Sequence, residues 1–167
     1  LADAGHEFTV QRVNDRTEIV ERLPKEEMDM MKPALSKDTV YSSEFRDAFT
    51  ALYGTSPDST KAAGEAFQAV ESALKKFLGS DKGDNLGAIY GWLRDHRSGW
   101  RYNTPSNGQD DAEEHFLSLV NFMNKSYRKT KHGHAEEKLT IGKQHAEIIL
   151  RCTALIIHEL ENTIELV

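Results

Sequence analysis

The clearest pattern in the chain is helical. Ala63, Ala66, Phe67, Val70, Ala73, Leu74, Phe77 and Leu78 recur at intervals of three and four residues and stop at Gly79. That spacing collects them on one face of a helix. It predicts the strongest helix of the first half, after the turn-forming run Thr55-Ser56-Pro57-Asp58. A preceding helix is predicted from Ser42 or Ser43, either of which suits an N-cap, through Phe45, Ala48, Phe49 and Leu52 to Gly54. Pro24 opens a short acidic helix from Lys25 to about Met31, and Pro33 is expected to close it. A shorter helix follows through Leu86, Ile89, Trp92 and Leu93. Another starts among Asp110 and Asp111, where carboxylates favour the positive end of the helix dipole. Its apolar side is Ala112, Phe116, Leu119, Val120 and Met123. Thr140 is expected to cap the last helix, which carries Ile149, Cys152, Thr153, Ile156 and Leu160. Ile148, Leu150, Leu155 and Ile157 extend that stripe beyond one face, as in a helix that is central or also meets a partner.

The pattern changes near the beginning. Phe8-Thr9-Val10-Gln11-Arg12-Val13 and Arg16-Thr17-Glu18-Ile19-Val20-Glu21 are β-rich runs separated by Asn14-Asp15, two good turn formers. They predict a hairpin over about residues 8–21. Residues 1–7 are an unpatterned lead-in, and residues 97–109 form a loop rich in turn formers. The expected fold is therefore mainly α, a helical bundle with a small N-terminal β-hairpin, in a single domain over residues 8–167.

Composition narrows this picture. The chain has 167 residues, of which 38% are hydrophobic and 29% charged, values that fit a globular domain rather than a disordered chain. The only cysteine, Cys152, lies in an apolar run and is read as a small hydrophobe. A lone thiol forms no internal disulfide, no basic-then-apolar leader opens the chain, and no apolar run approaches the ~20 residues of a membrane span. A cytoplasmic protein with no membrane attachment is expected. The net charge of −6 argues against broad adhesion to nucleic acid, while leaving room for a local basic patch. The sequence begins at Leu1 rather than methionine, which suits a piece of a longer parent chain with further domains.

Three features together carry a resemblance. The first is the stretch from Pro57-Asp58 through Glu65 and Glu71 to Gly79; the second is Asn85-Leu86-Gly87 with the later Leu93; the third is His132-Gly133 ahead of a long helix beginning near Thr140. In order and spacing, over about residues 8–165, the chain resembles the HEPN domains of abortive-infection and other prokaryotic defence proteins. The resemblance implies a helical bundle, a homodimer and, in many members, a metal-independent ribonuclease with no cofactor. It implies an active site made of an arginine and a histidine with four to six residues between them. Arg128 with His134 satisfies that spacing, whereas His132 makes the better match to the family's His-Gly pair. Both histidines stay candidates beside Arg128. Lys129 stands where the family usually has Asn, Asp or His. Lys131-His132 is the counterpart of an adjacent pair found in relatives that are not reliably nucleases. A non-catalytic dimerisation or ligand-sensing module of a larger defence protein is thus the competing expectation.

The chemistry suits these residue types. Metal-free RNA cleavage needs a group to take the 2′-hydroxyl proton, which histidine can do near neutral pH. It also needs a cation for the scissile phosphate, and arginine offers a planar fork of donors. Positions six apart on an ideal helix point about 240° from each other. Arg128 and His134 therefore converge only if the chain leaves helical geometry between them, which Gly133 would permit. Lys125, Lys129 and Lys131 would supply a positive field for the RNA backbone, and Tyr127 a stacking surface for a base. The plainer account of the same run is a solvated basic cap at a helix C-terminus. His132, His134, Glu136 and Glu137 crowd together, yet a His-x-His pair alone supplies too few ligands for a closed zinc site, so no metal is expected. No phosphate-binding glycine loop is present. Glu65 and Glu71 are expected to make exposed salt bridges, with one of them a possible partner for Arg128 in a cleft. His96, His115, His145 and His158 carry no motif.

Overall fold

The computed structural model describes residues 8–13, 16–21, 23–103, 108–131 and 140–167. It is mainly helical. The hairpin strands β1 (Phe8–Val13) and β2 (Arg16–Glu21) pair antiparallel in the register Phe8 to Glu21 and Val13 to Arg16. The expected hairpin is present with the expected limits.

Helix α1 (Lys25–Leu35) does not stop at Pro33 but runs through it. Proline within a helix removes one intrahelical hydrogen bond and crowds the preceding turn. Met31 and Ala34, on either side of Pro33, are both buried, and that packing holds the last turn helical. Helix α2 (Val40–Tyr53) starts earlier than Ser42 or Ser43 would have it. Thr39 is the cap, its side chain accepting a hydrogen bond from the Ser42 amide at 3.2 Å. Ser42 itself is buried inside the first turn.

Helix α3 (Ser59–Leu78) matches its expected span. Asp58 caps it by accepting from the Lys61 amide at 2.9 Å, and Gly79 ends it with φ +95°, a conformation that disfavours any residue with a Cβ. Its buried face includes Ala62, Ala63, Ala66, Ala69 and Ala73 together with Phe67, Val70 and Leu74. The small side chains let α2 and the last helix, α6 (Lys143–Asn162), pack closely on it. These three helices form the centre of the core.

Helix α4 (Leu86–Asp95) leads into strand β3 (Trp100–Tyr102), helix α5 (Gln109–Lys131), α6 and strand β4 (Ile164–Leu166). The pair β3–β4 is antiparallel, with Trp100 opposite Leu166. It corrects the expectation of an unbroken loop over residues 97–109. Three-residue strands are too short to show alternation in a sequence, and their pairing depends on the far end of the chain. The start of α6 is also corrected. Thr140 lies outside the helix, and Gly142 occupies the cap position with no side-chain hydrogen bond. Among the described residues no helix is long and apolar enough to cross a membrane.

Trp100 ties this second half together. It is 1% exposed, its ring lies 5.7 Å from that of Phe116 on α5, and its indole N–H donates to the Leu93 carbonyl at the end of α4 at 3.0 Å. Replacing Trp100 with alanine is expected to cost about 3–5 kcal/mol in unfolding free energy, from lost burial plus the cavity left behind. Urea denaturation followed by circular dichroism measures it.

Candidate nucleic-acid interface

The residues singled out from the sequence lie on the last turns of α5. Packing fixes which way this helix faces. Phe116, Val120 and Met123 are fully buried, and Asn124 and Ser126 nearly so. Lys125, Arg128 and Lys129 are all exposed. With about 100° between successive residues, these three positions fall within one narrow sector of the helix, away from the core. The helix continues without a break to Lys131. His132, His134 and the side chain of Lys131 lie outside the described residues, as does the point where the chain must leave helical geometry to bring Arg128 and His134 together.

Tyr127 occupies a different sector. It is half-buried, and its ring meets Phe67 of α3 edge-on at 5.5 Å and 68°. The two rings border a groove of about 440 Å³ whose floor is α3, at Thr60, Gly64, Gln68 and Glu71. Leu86 at the start of α4 and Ile141 ahead of α6 complete the walls.

Glu71 builds one end of this groove. Its Oε1 accepts from the Lys75 ammonium at 2.7 Å, the salt bridge expected for it. Its Oε2 also accepts from the Leu86 amide at 3.2 Å, while the Asn85 side chain accepts from the Gly87 and Ala88 amides at 3.0 and 3.1 Å. The first three amides of α4 have no partners within the helix. Here all three are satisfied, so Glu71 anchors α4 to α3 rather than pairing with Arg128. Gly87 admits the buried Asn124 side chain, whose Oδ1 would lie 3.2 Å from a Cβ at that position. The Asn124 Oδ1 is itself buried without a hydrogen-bond partner. The sequence motif Asn85-Leu86-Gly87 thus has a local physical role.

Arg128 differs from the other arginines whose side chains are described. Arg46 donates to the Leu35 and Lys37 carbonyls, Arg94 pairs with Asp95, Arg97 with Glu114, Arg101 with Glu165 and Arg151 with Glu27. Arg128 has no hydrogen-bond or ion-pair partner among the described residues. Its side chain is exposed, beside two lysines of like charge.

The remaining titratable groups fall into place more simply. Cys152 is half-buried, and burial pushes its thiol pKa up, away from the thiolate a nucleophile needs. His96 is stacked on Trp92 at 4.9 Å, and His145, His115 and His158 are exposed. No cluster of potential metal ligands occurs among the described residues. Comparison with protein-family models, curated proteins and solved structures finds no match to this chain.

Glu44 of α2 faces α3. Burial raises its carboxyl pKa above the ordinary value; a hydrogen bond with Ser72 lowers it somewhat, and Glu65, Glu71 and Asp47 add repulsion. A folded-state pKa above the unfolded value of about 4.3 means that the native protein holds the extra proton. The contribution is fully favourable below that unfolded value and is lost as pH rises through the raised folded value. Glu44→Gln is therefore expected to raise the melting temperature at pH 7 and to leave it little changed near pH 4. Paired thermal melts at the two pH values read out this difference.

Proposed function

We propose that this chain is a HEPN-like domain that binds and cleaves RNA without a metal, acting as a homodimer in antiviral, abortive-infection defence in the cytoplasm. The observation that carries the proposal is Arg128, an exposed arginine with no partner among the described residues, flanked by exposed Lys125 and Lys129. In this proposal Arg128 meets the scissile phosphate, and His134 or His132 moves the proton of the 2′-hydroxyl. Lys125, Lys129 and Lys131 hold the RNA backbone. A guanidinium with no carboxylate partner among the described residues suits this work, since a fork already engaged would have to be released before binding phosphate. Tyr127, packed at a steep angle against Phe67 and half-buried, offers only its exposed part to a base.

The homodimer is supported by α6. Ile148 is 45% exposed, and Cys152 and Leu155, on the same side of that helix, are only partly buried. A second copy covering this strip would remove apolar surface from water, worth roughly 25 cal/mol per Å². The competing proposal, a non-catalytic dimerisation or ligand-sensing module of a larger defence protein, draws on the same strip, on the net charge of −6 and on the lysine that follows Arg128.

Arg128→Ala should lower cleavage of single-stranded RNA by at least about 100-fold, the usual range for a lost acid–base or charge-stabilising group. Its stability should stay within about 0.5 kcal/mol of wild type, since the residue is exposed and has no partner among the described residues. A fluorogenic RNA assay and a denaturant titration on the same preparations decide it. No cleavage by wild type, or equal cleavage by the variant, leaves the non-catalytic module. Ile148→Glu should shift the mass seen by light scattering from dimer to monomer, and a wild-type monomer at micromolar concentration would end the dimer proposal.

A further inference from the structure

We propose that the groove over α3 is a binding pocket for a guanine base, a specificity site for the RNA that the chain engages. The identity of the ligand rests on the RNA proposal; the pocket itself rests on three observations.

The first is Gly64. It sits in the middle of α3, where glycine costs about 1 kcal/mol relative to alanine in helix propensity. A Cβ built there meets no described atom within 4 Å, so crowding by described neighbours does not explain the glycine. It instead lowers the floor of the groove, letting a flat ligand approach the helix backbone. The second is the size and lining of the groove. Its volume of about 440 Å³ lies within the usual range for small-molecule sites, and Phe67, Leu86, Tyr127 and Ile141 give it apolar and aromatic walls. The third is its polar end. Glu71 uses one position on each carboxylate oxygen, for Lys75 and for the Leu86 amide. A carboxylate has about four acceptor positions, so acceptors remain for a ligand.

Two adjacent acceptors call for two adjacent donors. Guanine offers its N1–H and N2 amino group side by side on the Watson–Crick edge. Adenine and cytosine each place an acceptor beside their amino group, and that acceptor would face the carboxylate. Gln68, exposed on the floor, can donate or accept at the remaining edge of the base. Guanine is the base this donor–acceptor pattern selects.

Titration calorimetry of the purified chain with guanosine 5′-monophosphate, adenosine 5′-monophosphate and cytidine 5′-monophosphate tests the pocket. The guanine nucleotide should bind saturably and at least about 10-fold more tightly than the other two, as one bidentate pair of hydrogen bonds discriminates between bases. Gly64→Leu should lower that affinity at least 10-fold by filling the floor. Gly64→Ala checks folding, because it should raise the melting temperature by roughly 2–4 °C while weakening the nucleotide. Equal binding of the three nucleotides, no binding, or unchanged binding by a folded Gly64→Leu protein overturns the pocket. RNA cleavage that persists without any preference for guanine would remove this site and spare the nuclease proposal, whereas selective nucleotide binding without cleavage would do the reverse.

Discussion

The structure depends on close approach along one face of α3. Five buried alanines there present little bulk, so α2 and α6 pack near its axis, and larger groups such as Phe67, Val70 and Leu74 fill the spaces between. Filling a helix face with small residues gives up apolar area per residue but gains density of contact, and dispersion rises with density. Once α2 and α6 occupy that side, the side bearing Thr60, Gly64 and Gln68 faces the other way. The groove is thus a consequence of core packing, and Glu71 lies on that same outer side, two turns along from Gly64. Its carboxylate turns the end of the groove into an anchor for α4. Through Trp100 at the far end of α4, the same anchor reaches α5, the helix that displays Arg128.

Features governed by local rules were legible in the sequence. The apolar face of α3, its end at Gly79 and the hairpin around Asn14-Asp15 need only neighbours within a few residues. Features that depend on distant partners were not. Pro33 is a sound local stop signal, yet Met31 and Ala34 are buried in a helix that packs on α2 and on α6, the latter more than a hundred residues later, and that packing prevails. Ser42 and Ser43 are good caps in isolation, but Ser42 is needed inside and Thr39 takes the role. Strands β3 and β4 contain three residues each and exist because the two ends of a long segment meet.

The candidate site divides along the same line. Residue type and spacing identified the basic run, and the periodicity of α5 is enough to place Lys125, Arg128 and Lys129 away from Phe116, Val120 and Met123. Which arginines would find carboxylates was not legible, since Arg101 pairs with Glu165 and Arg151 with Glu27 across long stretches of chain. Glu71 shows the intermediate case. Its bridge to Lys75 follows from i, i+4 spacing, whereas its bond to the Leu86 amide requires knowing how α4 returns to α3. Gly64 left a signal of a kind, an energetically poor residue in the best helix of the first half, though the sequence alone does not separate a packing reason from an open groove.

The plain alternative for the end of α5 is that its cations merely complement the helix dipole. Asp110 and Asp111 in the first turn do so at the other end, and each such charge contributes about 0.3–1 kcal/mol. Dipole complementation, however, asks only for positive charge, and the lysines of the final turns supply it. It gives no reason for an arginine, whose distinguishing property is a rigid fork of donors rather than its charge. Elsewhere among the described side chains that fork is used, on carboxylates or on backbone carbonyls. A guanidinium with no such bond among the described residues, on a helix whose opposite side is fully buried, is surplus to capping and to packing. It is suited to an oxyanion that arrives from outside, and phosphate is the oxyanion whose geometry it fits.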